Sequence, residues 1–137
     1  MVKTSRFLAI AMILFAACAL LPINARAFEL SGAWASQADL CKLVFTMNGS
    51  EVAFAELSDL YGSGFVIDGK RIMGKAAQCT IQSKKQEGDS IELSATCATS
   101  VMTQTVRFNL KVLDDNNLSR VIPEIEGMML RYTRCEF

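Results

Sequence analysis

The sequence contains no histidine. That absence removes the Ser-His-Asp and Cys-His nucleophile arrangements, histidine general-base catalysis and nearly all zinc-hydrolase sites at once. There is no C-x-x-C pair either, so zinc ribbons and thioredoxin-like redox centres have no ligand pattern to build on. Excess charge is missing too: 14 Lys and Arg face 14 Asp and Glu. A nucleic-acid surface would show as a basic patch, and none is present. No apolar run reaches the ~20 residues of a membrane-spanning helix. The longest, Phe7 to Leu21, has 15 residues.

That run nevertheless carries information. Lys3 and Arg6 precede it, Pro22 ends it, and Ala25-Arg26-Ala27 offers the small-x-small pattern of a signal-peptidase site. Residues 1–27 are therefore expected to be a signal peptide, with 28–137 a single exported domain in the periplasm or medium. Two rival readings fall on the same segment. One is a retained anchor, for which the run is short. The other is lipoprotein processing at Cys18, because Phe15-Ala16-Ala17-Cys18 is similar to a lipobox; the better cleavage site downstream favours the signal peptide. Loss of Lys3, Arg6 and Arg26 would leave a net charge of −3.

Four cysteines remain after Ala27: Cys41, Cys79, Cys97 and Cys135. An even number in an exported chain implies two disulfides. Turn signals recur about every ten residues, the spacing of an all-β sandwich or barrel. Strands are expected over 40–47 and 51–57 around Asn48-Gly49, over 64–67 and 70–74 around Asp68-Gly69, and over 77–83 and 90–98 around a polar turn. Further strands follow over 102–113, 118–122 and 128–135. Residues 36–41 suggest a single helical turn. A small antiparallel meander barrel of about eight strands is the expected fold.

A turn centred on Gly88 places Cys79 opposite Cys97 and Ile81 opposite Ala95, on one alternating face. Opposed Cβ atoms lie about 4.5–5.5 Å apart, near disulfide reach. Elimination then pairs Cys41 with Cys135, tying the start of the sheet to its end. Cys41–Cys79 with Cys97–Cys135 stands as the competing connectivity. Phe45, Phe54, Phe65, Val106, Phe108, Met102, Met128 and Met129 are assigned to the barrel core or, less favourably, to a cavity wall.

The residues with chemical potential read mostly as structure. Glu124 and Glu126 could share a face as acid and base, but they sit between Pro123 and Gly127 and read as solvated loop charges. Asp114-Asp115-Asn116-Asn117 lacks the later Gly and Glu of a calcium loop and reads as a hairpin turn. Residues 58–64 are too strand-like downstream for a phosphate cradle; Tyr61 there could grip a partner. No catalytic, cofactor-binding or metal site is assigned, and a non-enzymatic role is expected.

Gly32-Ala33-Trp34, a meander of hairpins and Arg131 or Arg134 on the last strand together resemble the lipocalin and wider calycin pattern. That resemblance implies a barrel in which Trp34 is capped at one end by a late arginine, enclosing a small apolar ligand. A G-x-W followed soon by a cysteine is also similar to small periplasmic barrels that inhibit bacterial metalloproteases. This implies recognition of a protein through the segment before the barrel, here residues 28–31. The expectation is thus a binding protein for a small apolar molecule. The alternative is a periplasmic inhibitor of a protease or lysozyme, or an envelope interaction module.

Overall fold

The computed structural model describes residues 26–137; residues 1–25, on which most of the expected signal peptide and the Cys18 lipobox reading fall, lie outside the described residues. Among the described residues there are ten strands: β1 (Gly32–Ala35), β2 (Phe45–Asn48), β3 (Glu51–Phe54), β4 (Gly64–Asp68), β5 (Arg71–Met73), β6 (Gln78–Glu87), β7 (Ser90–Ala98), β8 (Thr103–Asp114), β9 (Asn117–Val121) and β10 (Met129–Arg134). Eight of them close into a barrel in the order β1-β10-β9-β8-β7-β6-β5-β4, every neighbour antiparallel. Closure removes the exposed edges that an open sheet of this length would present.

The chain is a simple meander from β4 to β10. It departs from one between β1 and β4. After β1 it leaves the barrel through a 3-10 turn (Ala38–Leu40) and a short helix, α1 (Cys41–Val44), then forms the separate hairpin β2–β3. It re-enters at β4, which pairs back onto β1. The strand expected over 40–47 is thus shortened to its last residues, and the hairpin around Asn48-Gly49, expected among the barrel strands, forms a separate sheet. Cys41, Val44 and Phe45 are spaced to bury one face of a helical turn, and the strand begins only at Phe45.

Two cores result. Inside the barrel lie Leu30, Trp34, Ile67, Ile91, Leu93 and Leu118, with others from the inward faces of the strands. Outside it, α1 and the hairpin cover β1 and β4, burying Val44 and Phe45 against Ala33, Ala35 and Val66. The two alanines leave room for this outer layer to approach. Phe45 packs at a tilt against Phe54 at 5.2 Å and meets Phe137 edge-on at 6.4 Å, so neither Phe45 nor Phe54 fills the barrel as expected. Burial of side chains this size contributes about 1.5–3 kcal/mol each.

The disulfides are Cys41–Cys135 and Cys79–Cys97. Cys79 does face Cys97, and Ile81 faces Ala95. The reason differs from the one read in the sequence. The β6–β7 turn is the two-residue pair Gly88-Asp89, since Glu87 pairs with Ser90, and this alone would shift Cys79 to face Ala98. A bulge between Ile81 and Ser83 shifts the register back by one residue. Two offsets of one residue cancel. At three of the four two-residue hairpin turns the glycine (Gly49, Gly69, Gly88) is the first turn residue and takes a positive φ, while Asn48 and Asp68 stay in the ladder; the fourth, Asp115-Asn116 between β8 and β9, has no residue of positive φ.

Candidate functional site

The two ends of the barrel are built differently. At the end where β1 begins and β10 finishes, the segment before β1 folds across the opening. The Trp34 indole N–H donates to the Leu30 carbonyl at 2.9 Å, and the ring is fully buried. Phe28 lies 6.2 Å from it on one side and Phe65 6.5 Å on another. The Arg134 guanidinium sits 4.3 Å above the Trp34 ring and donates to the carbonyls of Ser31 (2.5 Å) and Glu29 (2.6 Å).

Gly32 makes that position possible. Its φ is +137°, and a Cβ there would lie 3.1 Å from Arg134 Nη1. The Gly-x-Trp spacing and the late arginine therefore form one packed unit. Arg131 does not belong to it. It is exposed on the outer face of β10, opposite Ser119.

Polar contacts complete the closure. The Phe28 amide donates to Gln86 Oε1 (3.1 Å), and Lys84 Nζ donates to the Phe28 carbonyl (3.2 Å). The Glu29 carboxylate accepts the Ser31 amide (2.8 Å); this hydrogen bond, with lesser help from Lys84 and Arg134, holds its pKa below the usual value.

The opposite end is open. There the barrel interior is not filled, and a cavity of about 210 Å³ remains, lined chiefly by Phe65, Ile72, Leu93, Phe108, Leu110 and Arg120. Because neighbouring strands are antiparallel, the β5–β6, β7–β8 and β9–β10 connections all lie at this end. They carry Val101, Met102, Ile125 and Met128, with Met129 opening β10, and all are exposed. Leu60 and Tyr61, also exposed, join them through the stretch before β4. Lys75 anchors that stretch by donating to the Ala55 (2.9 Å) and Glu56 (3.2 Å) carbonyls. The methionines thus form a rim rather than the core or cavity wall expected from sequence.

Glu124 and Glu126 are exposed in the β9–β10 connection, away from the cavity lining. The Asp114 carboxylate is engaged within its own turn by the Asn116 amide (2.8 Å) and the Asn117 side chain (2.9 Å), which lower its pKa.

The one charged residue of the cavity lining was not singled out by sequence reasoning. Arg120 pairs with Leu110 and Leu130 and so takes an inward position on β9. Its guanidinium lies 4.6 Å from the Phe108 ring centroid, and its buried Nε has no hydrogen-bond partner. The signal was available as the alternation Leu118, Arg120 opposite Leu110 and Val112, but only once the β8–β9 register was known.

The described residues therefore define a small closed β-barrel, plugged at one end and holding an open apolar cavity at the other. Compared with protein-family models, with curated proteins and with solved structures, the chain matches none. Its two disulfides are consistent with an oxidising, extracellular or periplasmic setting.

Proposed function

We propose that the protein is an exported, non-catalytic binding protein that encloses a small apolar molecule in the open half of its barrel. The observation that carries this reading is the unfilled interior: a barrel of eight strands is just wide enough for its own side chains to fill or for one small ligand. Here about 210 Å³ of apolar space remains beside an opening. The plugged end gives such a ligand one route in and out. Export through a signal peptide cleaved after Ala27 fits the paired cysteines, and it places the binding in the periplasm or medium.

A second reading, recognition of a secreted or envelope protein, rests on the exposed apolar rim. Contiguous exposed apolar side chains mark interaction sites in soluble proteins. Of the residues on that rim, Tyr61 offers an aromatic anchor.

Native mass spectrometry of the oxidised protein, recovered from its own host compartment, tests the first reading. The expected result is a one-to-one adduct of a small hydrophobic molecule that is lost in Leu93→Phe, a substitution that grows into the cavity. A protein free of any adduct, and unable to take up 1-octanol or octanoate on titration, would contradict it.

A further inference from the structure

We infer that the barrel cavity selects an anionic ligand, a carboxylate carrying an apolar tail, and that Arg120 is the group that receives the carboxylate. This rests on the carrier reading above and narrows it. The inward strand positions carry three cationic side chains, Lys84, Arg120 and Arg134, and among the described residues no inward strand position carries Asp or Glu. Lys84 and Arg134 are engaged at the plugged end by main-chain carbonyls. Arg120 is not. Among the described residues its side chain has no ion pair and no hydrogen bond; Phe108 is its cation–π neighbour, and its Nε is buried without an acceptor.

A charge held against an apolar cavity without a counter-ion is costly, and the cost falls when an anion arrives. The guanidinium fork matches a carboxylate through two parallel hydrogen bonds, a geometry an ammonium does not offer. The space sets the size of the guest. A dry cavity of about 150 Å³ holds a benzene ring. The present volume of about 210 Å³ thus suits a headgroup with a tail on the order of eight carbons or a single ring. A longer tail would leave through the open end, across the apolar rim.

Calorimetric titration of the oxidised protein, expressed as the full chain, with octanoate, 1-octanol and octylamine tests the inference. The expected order is octanoate tightest, by about tenfold over octanol, with octylamine weakest. Arg120→Gln should bring octanoate and octanol within about twofold of each other without loss of octanol binding, and Arg120→Lys should restore only part of the preference. Equal affinities for octanoate and octanol in the unaltered protein would overturn the inference and leave the carrier reading standing, without recourse to any variant. Failure of all three probes to bind would instead overturn the carrier reading itself.

Discussion

Trp34 and Arg134 show how much of one barrel end depends on two side chains. The arginine stacks on the indole and satisfies two carbonyls of the segment that crosses the opening, Ser31 and Glu29. A lysine could reach either the ring or one carbonyl, but its ammonium lacks the planar fork that does both. Arg134→Lys is therefore expected to lower stability by about 1–2 kcal/mol. Because Trp34 is the one tryptophan in the chain, its emission should shift to the red as the cap loosens. Unchanged emission and an unchanged urea midpoint would contradict the assigned role. Trp34 with a late arginine was legible in the sequence as a pattern, although it offered Arg131 and Arg134 equally. Strand parity separates them, since Tyr132 points inward and Arg131 outward. Arg120 was illegible for a related reason: a single charged residue in a strand reads as solvent-facing until the neighbouring register shows otherwise.

Among the elements, the hairpins were the most legible, because a glycine with positive φ and two-residue alternation are local properties of the chain. What alternation does not encode is the surface against which a strand buries its face. β2 and β3 alternate much as barrel strands do, yet they pack outside the barrel with α1. The β1–β4 pairing, which spans this excursion, has no local signature at all. The disulfides reinforce different elements. Cys79–Cys97 joins adjacent strands already held by a long ladder. Cys41–Cys135 ties α1 to the end of β10, beside the seam where β1 and β10 share two register pairs.

Loop entropy ranks the two bonds. With sequence separations of 94 and 18, the chain-entropy relation gives about 4.7 and about 3.2 kcal/mol respectively. Replacing Cys41 and Cys135 by serine should thus lower the urea midpoint more than replacing Cys79 and Cys97, and it should expose the β1–β10 seam to hydrogen exchange first. The reverse order would show that the seam is held by packing rather than by the bond. Non-reducing peptide mapping checks the connectivity beforehand.

For the whole molecule, the missing histidine has a thermodynamic consequence. No side chain with an ordinary pKa between 5 and 8 is present. The carboxyls of Glu29 and Asp114 are lowered from their usual 4.5 and 3.8. Groups lowered in the folded state contribute stability that is present above the unfolded pKa and is lost as pH falls through the folded one. Denaturant midpoints should accordingly be flat from about pH 5 to 8 and decline only below about pH 4.5. A midpoint that changes steeply near neutrality would contradict this expectation.

Closure at one end and an apolar cavity at the other are properties of the assembled barrel, and the proposed carrier role puts the ligand in that cavity. Methyl-resolved NMR of the oxidised protein during titration with octanoate tests this most directly. Intermolecular contacts from the ligand tail to the methyl groups of Ile72, Leu93 and Leu110, together with a shifted Arg120 Nε–H, are the predicted result. Shifts confined to the rim, at Leu60, Val101 and Ile125, with the interior methyls unmoved, would contradict it.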